Sequence, residues 1–511
     1  MRFGRITAVR SLRLRSVAAL AILAIVPVAA YAPSLFCRFV YDDIPLITAA
    51  QTPRSWPQLA RVFLEPHYPN LPYYRPLVRA TLLGQKVLHG NIAWPFHLFN
   101  VLIASAISCL AYLLLRSGPW SVNRRYAAVA ALLFVLHPVA SSCVYPISSG
   151  RETLMPCALT LLAMYAYIRP GARMRATAWS VFAAALLSKE SAVTIPLLFV
   201  VFDRLYRSGI RWLRYLPGVL ILLLYGVVRV LLFHGSEFRI GRLAYFPLSY
   251  LYALQVLCVP FQALVYEPEV RTWFQPGRCA ALLLAAVAAL ATGRPRFRPI
   301  RTHAIFWSAW FVIAMLPTSN LIAQETHFDE RWILLPSLGL WALIAIATSR
   351  QPRARSIIAL AVITAVFAAL GIGRARYFVD DVAFSRQWLA IAPRSVNAHY
   401  TLAEALLAAG DYAGAERHYQ YVTSELPAFA EARTKLAFVM AKRGRAPEAL
   451  DQMVISLKAD PRSSDAWRSL AYIQLQLGET RGALQSLERA LALDPRNSAA
   501  RAMLAEAESH Q

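Results

Sequence analysis

Long apolar stretches recur through the first 373 of the 511 residues and limit what this part of the chain can fold into. The hydrocarbon core of a bilayer takes roughly 20 apolar residues per helix, so such stretches predict membrane-spanning helices. Only 16% of the residues are charged, against roughly 25% in an ordinary soluble domain, which argues against a purely soluble enzyme. The twelve stretches of spanning or near-spanning length are 17–36, 94–115, 125–145, 152–168, 176–187, 191–202, 215–233, 244–265, 278–292, 302–317, 332–348 and 356–372.

The charge of the chain is unevenly distributed. The 53 Lys and Arg against 28 Asp and Glu give a net charge of +25, which in a water-soluble protein would first suggest a nucleic-acid partner. Residues 1–373 hold 36 basic and 12 acidic side chains, whereas residues 374–511 hold 17 and 16. Because excess Arg between membrane spans reports topology, we expect membrane lipids and no nucleic acid as partners.

The basic loops predict an orientation in the membrane. If all twelve stretches cross, the basic cluster at 294–301 falls outside; if 244–265 does not fully cross, every basic loop lies in the cytoplasm, with 22 of the 36 basic residues. We therefore predict eleven crossings within a polytopic domain at 17–373, a cytoplasmic basic leader at 1–16 and an outer loop at 37–93. Arg is preferred over Lys, which indicates a GC-rich bacterial genome and hence a multi-pass protein of the bacterial inner membrane.

The C-terminal part repeats with a strict period of 34 residues. This period is typical of tetratricopeptide repeats, in which small Ala residues let two helices approach, Gly forms the turn and Pro ends the second helix. We predict an all-α fold with a linker at 374–395, then a periplasmic α-solenoid at 396–511 with three repeats and a cap. The aligned series are Pro393, Pro427, Pro461 and Pro495; Ala403, Ala437 and Ala471; Gly410, Gly444 and Gly478; and Ala415, Ala449 and Ala483.

A stack of such repeats normally offers a concave groove to a peptide or protein. We therefore expect a protein partner for this region. The alternative is that the repeats serve only assembly or dimerisation.

Two adjacent acids mark where chemistry could lie. On the predicted topology eleven of the twelve acids in residues 1–373 face outside, and Asp42 and Asp43 follow the first span directly. Partial desolvation at a membrane boundary raises the pKa of a carboxyl toward that of a useful base. The alternative is that the two acids only mark a helix end at the interface.

Several short motifs occur in a characteristic order, ahead of the repeats. Together they resemble the transmembrane and tetratricopeptide repeat family of O-mannosyltransferases and its bacterial relatives, which are membrane glycosyltransferases of the C type. The motifs are Phe39-Val40-Tyr41-Asp42-Asp43, Tyr74-Arg75-Pro76-Leu77, His137-Pro138-Val139 with Gly150-Arg151-Glu152, Ser188-Lys189-Glu190, and Glu330-Arg331 with Leu335-Pro336-Ser337-Leu338-Gly339.

The resemblance implies transfer of a mannose-like hexose from a polyprenyl-phosphate carrier to a hydroxyl of a protein or glycan on the non-cytoplasmic face. In an inverting displacement one carboxylate takes the proton of the acceptor hydroxyl, and the match with the family's first-loop acid assigns this role to Asp42 or Asp43. The alternatives for one of the two are orientation of the acceptor and binding of a divalent metal. No cofactor is otherwise expected, and no metal site is assigned.

The leaving lipid phosphate calls for fixed cations. A charged pair near the membrane is costly and therefore a functional candidate; the alternatives are structural ion pairs, or for Glu330 and Arg331 an anchor at the headgroups. His137 either hydrogen-bonds the acceptor or is a buried structural histidine. The predicted phosphate-binding residues are Arg75, Arg151, Lys189 and Arg331, and the predicted supporting residues are Glu152, Glu190, His137 and Glu330.

Two other functions remain open from the sequence. An O-antigen-ligase-like transferase would move a whole glycan from a diphosphate carrier. A non-catalytic scaffold would use the repeats to recruit partners. If 244–265 does not cross, it forms a wall for a polyprenyl tail at the outer leaflet.

Overall fold

The computed structural model describes residues 2–68, 71, 73–207, 209–233, 245–260, 301–321, 328–350 and 354–509, without the side chains of 2–15. Within these ranges the chain is helical and contains no named strand. The all-α class is therefore confirmed. The chain divides into two compact units, Met1–Asp380 and Asp381–Gln511.

The described residues of the first unit form fourteen α-helices. They are α1 (Arg2–Tyr31), α2 (Trp56–Ala60), α3 (Pro76–His89), α4 (Trp94–Arg116), α5 (Arg124–Leu136), α6 (Pro138–Val144), α7 (Ser148–Tyr167), α8 (Ala172–Ser188), α9 (Ile195–Tyr206), α10 (Leu216–Leu232), α11 (Tyr245–Cys258), α12 (Arg301–Met315), α13 (Leu334–Ser349) and α14 (Ala354–Gly373). Short helical turns that matter below are Ile44–Thr48, Glu190–Thr194, Glu330–Ile333 and Arg374–Tyr377.

Five segments of the described residues are long and apolar enough to cross a membrane. Helices α5 and α6, which meet at a bend of 56°, form a sixth candidate if they count as one span. The prediction of eleven crossings stays a prediction. The stretch 278–292 and the cluster 294–301, apart from Arg301, lie outside the described residues. The five segments are Ser16–Phe36, Trp94–Arg116, Trp212–Leu232, Glu330–Ser349 and Ala354–Tyr377.

One glycine sets how closely α6 and α7 approach. A Cβ atom added at Gly150 would lie 2.1 Å from the carbonyl oxygen of Cys143, far inside contact distance. Only glycine therefore fits this position of α7 without a shift of the backbone. The close contact fixes the start of α7, which carries Glu152 of the candidate site.

The second unit consists of helical hairpins at the predicted 34-residue period. Gly410, Gly444 and Gly478 adopt positive φ of 79–81° at the turns, a conformation in which glycine meets no steric penalty. The predicted linker 374–395 is largely helical, since it contains the turn Arg374–Tyr377 and the helix Asp381–Ile391. The helices are α15 (Asp381–Ile391), α16 (Val396–Ala408), α17 (Tyr412–Glu425), α18 (Ala430–Lys442), α19 (Ala446–Ala459), α20 (Ser464–Gln476), α21 (Thr480–Leu493) and α22 (Ser498–Ser509).

Candidate active site

A cavity of about 240 Å³ lies where several chain segments of the first unit meet. It collects charged side chains from the segment after α1, the start of α3, α7, the turn after α8 and the segment before α13. Six of the ten residues predicted from the sequence line it. The charged lining residues are Asp42, Arg75, Glu152, Lys189, Glu190, Asp329 and Arg331.

The two adjacent acids have different surroundings. Asp43 is fully buried and accepts hydrogen bonds from the Val40 N–H at 3.1 Å, the Ser148 N–H at 2.7 Å and the Ser148 hydroxyl at 2.6 Å. Its carboxylate therefore satisfies the N-terminus of α7, where a negative charge is also favoured by the helix dipole. Asp43 positions the site and does not line the cavity.

Asp42 lines the cavity itself. Burial raises the pKa of this carboxyl to about 7, with the charge of Arg331 acting against the rise and the charges of Glu152 and Asp43 adding to it. The preceding residue, Tyr41, has φ of +48°, which residues other than glycine rarely adopt. Strained backbone of this kind concentrates at functional sites.

We expect Asp43→Asn to lower the stability of the protein by about 1–2 kcal/mol, because asparagine keeps one acceptor oxygen, and its NH₂ cannot accept either the hydrogen bonds from Ser148 or those from the N–H groups of Val40 and Ile147. The thermal unfolding midpoint of the purified protein measures this loss. The conservative Asp43→Glu is a useful comparison, since it keeps the charge but displaces it by one methylene. An unchanged midpoint for Asp43→Asn would contradict the capping role.

Arg75 is held between two carboxylates. Its Nε donates to Glu190 Oε2 at 3.0 Å, and its other nitrogens pair with Glu190 and Glu152. His67 Nε2 lies 2.7 Å from Glu152 Oε1, and the Tyr68 hydroxyl donates to the same oxygen at 3.1 Å. The guanidinium of Arg75 is thus engaged by protein acids and organises the cavity wall, and its direct contact with phosphate stays a prediction.

Lys189 is a cation of the cavity that forms no ion pair within 4 Å among the described residues. It stands between the end of α8 and the turn Glu190–Thr194, where the backbone is extended. Burial lowers the pKa of its ammonium group. An ammonium that forms no ion pair within the described part of the chain suits an anionic ligand.

Arg331 and Glu330 are adjacent in sequence but lie in different surroundings. The Nε of Arg331 donates to Asp329 Oδ2 at 2.8 Å, and both residues line the cavity. Glu330 does not line it. Glu330 instead accepts from Arg374 at 2.9 Å and from the Ser142 hydroxyl at 2.8 Å in buried surroundings, so it ties the start of α13 to α6 and to the end of α14.

Two other predicted residues lie away from the cavity. Arg151 is fully buried, donates to Asn100 Oδ1 and to the Phe96 carbonyl at 3.0 Å each, and lies 4.6 Å from the Phe99 ring centroid. Arg151 therefore ties α7 to α4, and its expected contact with a donor phosphate stays a prediction. His137 is also buried, and its Nδ1 accepts from the Val139 N–H at the start of α6.

The sequence interpretation left out some functional neighbours. His67 and Tyr68 hold Glu152, and Asp329 holds Arg331. A signal was available, because His67 and Tyr68 share the outer loop with Arg75, and Asp329 precedes Arg331 by two residues. In the described ranges no group of three or more His, Cys, Asp or Glu side chains is arranged to hold a metal ion, so the divalent-metal alternative gains no ligand set there.

Comparisons with known proteins point to one family. Three relatives are the protein O-mannosyl-transferases Tmtc3 of Drosophila melanogaster (26% identity over 426 residues, 64% of this chain and 46% of the relative), TMTC2 of Homo sapiens (26% over 238 residues, 42% and 28%) and TMTC1 of Mus musculus (30% over 198 residues, 34% and 20%). The chain thus spans less than half the length of these relatives. Models of the tetratricopeptide repeat match residues 406–473 and 464–507.

Solved structures of tetratricopeptide-repeat proteins are similar to part of this chain. YrrB, described as a tetratricopeptide-repeat protein with an unusual peptide-binding site, is 21% identical and aligns over 29% of this chain and 78% of its own length, with a TM-score of 0.23. TTC0263 of Thermus thermophilus is 19% identical over 32% of this chain and 89% of its own length, also with a TM-score of 0.23.

The apolar helices and the relatives define a multi-pass membrane protein with C-terminal tetratricopeptide repeats. Part of the chain is similar to TMTC O-mannosyl-transferases and its C-terminal part matches models of the tetratricopeptide repeat, which confirms the resemblance of its motifs. Its bacterial origin and its orientation in the membrane stay predictions.

Proposed function

We propose that the protein is a membrane glycosyltransferase that moves a mannose-like hexose from a polyprenyl-phosphate carrier to a hydroxyl group of a protein or glycan on the non-cytoplasmic face. The observation that carries this proposal is Asp42, a carboxylate with a pKa of about 7 in a cavity that also contains Lys189. A base and a cation in one cavity are what transfer from a phosphate leaving group requires.

The proposed displacement assigns each charge a task. Asp42 takes the proton of the acceptor hydroxyl while that oxygen forms a bond to the anomeric carbon. The bond between this carbon and the carrier phosphate breaks, and its electron pair leaves with the phosphate. Lys189, together with Arg331, stabilises the negative charge that grows on the phosphate.

Arg75 supports this arrangement indirectly. Its pairing with Glu152 and Glu190 fixes two walls of the cavity and keeps both carboxylates charged. Tyr73, whose ring centroid lies 4.5 Å from the guanidinium, holds Arg75 from another side. We assign Arg75, Glu152 and Glu190 as positioning residues.

A smaller cavity of about 40 Å³ shares Lys189 and Trp332 with the candidate site. Pro156, Ala192 and Leu335 give it a largely apolar wall. An apolar space beside the proposed phosphate site suits the first part of a polyprenyl tail. The repeats of the second unit, in this proposal, bind a protein partner.

The pH profile of transfer tests the assignment of the base. Asp42 acts as a base only when it is deprotonated, so we expect kcat/KM to be highest above pH 7 and to fall about tenfold per pH unit below it. Initial rates in membrane vesicles between pH 5 and 9 measure this, after a return to pH 8 has shown that the protein survives each pH. A rate that stays constant from pH 5 to 8 would contradict a base with this pKa.

A further inference from the structure

A larger recess, which we call the basic groove, lies beside the candidate cavity. Its volume is about 980 Å³, and it shares Pro45 with the cavity. Its walls are residues 45–67 and the side of α3 that carries Arg79 and Leu83. Ligand sites usually have roughly 300–1,000 Å³, so the basic groove has room for more than one sugar ring.

The charge of the basic groove is positive. Arg79 is neutralised by Glu65 at 2.8 Å, but Arg54 and Arg61 form no ion pair among the residues that the structure describes. The Arg54 N–H donates to Gln58 Oε1 at 2.6 Å, which fixes the backbone at the groove rim. Two arginines without counter-ions favour an anionic ligand.

His67 connects the basic groove with the candidate cavity. This residue lines the groove, is only 2% exposed, and binds Glu152 of the cavity through Nε2 at 2.7 Å. Its Nδ1 has no hydrogen-bond partner within the described part of the chain. When Nε2 donates to the carboxylate, Nδ1 is left as a buried acceptor, so His67 joins the wall of the groove to Glu152 of the cavity.

We propose that the basic groove binds the acceptor as an acidic peptide segment, whose carboxylates contact Arg54 and Arg61 while its hydroxyl residue reaches Asp42 past Pro45. The inference rests on the proposed function, because it names the acceptor of that reaction. Anionic lipid headgroups are the competing ligand, since Trp56 is 83% exposed near these arginines. The volume of about 980 Å³ and the continuity of the basic groove with the candidate cavity at Pro45 and His67 favour a peptide.

Binding of fluorescent peptides to the full chain in nanodiscs of neutral lipid tests the inference without any sugar donor. Three peptides carry one central Thr flanked by Glu, Gln or Lys. We expect the wild type to bind the Glu peptide about five-fold more tightly than the Gln peptide, as two exposed ion pairs would give, and to bind the Lys peptide least. In the double variant Arg54→Gln/Arg61→Gln this ratio should fall to about one.

Arg125→Gln is the matched control, because Arg125 is an exposed arginine at the start of α5, separated along the chain from the groove by the 23-residue helix α4. It should keep the wild-type ratio. Equal binding of the Glu and Gln peptides by the wild type would overturn the inference, as would a ratio that the double variant retains. A third outcome is that anionic lipid abolishes binding of the Glu peptide and that the wild type does not distinguish the three peptides. This outcome would show that Arg54 and Arg61 bind lipid headgroups instead of a peptide.

The two proposals fail in different ways. A wild type that binds the Glu peptide selectively but transfers no sugar in the presence of the donor contradicts the proposed function and leaves the basic groove as a peptide site. Transfer to all three peptides with equal KM contradicts the acidic-acceptor inference alone.

Discussion

Asp42→Asn is expected to lower kcat for sugar transfer by about 10²–10⁴-fold, the range that a general base contributes. Asparagine has nearly the same shape as aspartate but cannot take the proton of the acceptor hydroxyl. Because Asp42 lines a cavity and does not cap a helix, the amount of folded protein should stay at the wild-type level. Initial rates at saturating donor, normalised to the protein in the membrane, measure the loss.

Asp43→Asn is the matched control for this change, since it replaces the adjacent acid by the same amide. We expect this variant to be less stable than the wild type and to keep a much larger share of activity per folded molecule than Asp42→Asn. The reason is that the Asp43 carboxylate accepts hydrogen bonds from Ser148 and does not line the cavity. If Asp42→Asn retained more than a tenth of the wild-type kcat, or if Asp43→Asn alone abolished transfer in folded protein, the assignment of the base would be wrong.

Lys189→Gln is the second large expected effect. Removal of one fixed group that stabilises charge in the transition state typically costs about 10²–10³-fold in kcat. Lys189 forms no ion pair among the described residues, so its loss should leave the fold intact and act on the reaction. The measurement is kcat and donor KM for the wild type, Lys189→Gln and Lys189→Arg.

Lys189→Arg keeps the positive charge and should recover part of the lost rate. A structural ion pair with Glu190 predicts a different result, namely a lower unfolding midpoint for Lys189→Gln with kcat per folded molecule unchanged. That outcome would remove Lys189 from the proposed phosphate site.

The repeats could be predicted accurately because their signal is local. Each hairpin of the second unit repeats after 34 residues, and the glycines at 410, 444 and 478 occupy the turns that the period assigns to them. Membrane spans were predicted less completely. Helix α7 carries Arg151 and Glu152 in its first two turns. The apolar stretch that follows these charges does not by itself predict whether the whole helix crosses the membrane.

The candidate site was predictable only as a set of motifs. Asp42 and Asp43 have identical chemistry and adjacent positions, but Asp43 binds Ser148, which lies 105 residues further along the chain, whereas Asp42 lines the cavity. The motif that contains Arg151 and Glu152 likewise does not indicate that Arg151 contacts α4 whereas Glu152 pairs with Arg75. No local pattern contains such long-range contacts.

Arg374 is a second residue whose contact could not be predicted from its local sequence. Its position after the last apolar stretch predicted a linker residue, but it is buried and pairs with Glu330 at 2.9 Å. The partner is 44 residues away, on a segment whose own motif suggested phosphate binding. The buried ion pair therefore gives Arg374 and Glu330 a structural role that neither local sequence indicates.

The most direct test of the central claim is incorporation of label from a polyprenyl-phosphate [³H]mannose donor into a Thr-containing acceptor peptide, in membrane vesicles that contain the full chain or its Asp42→Asn variant. The account predicts incorporation with the wild type and almost none with Asp42→Asn at equal protein. Equal incorporation by the two, or incorporation by the wild type only from a diphosphate-linked donor, would contradict it.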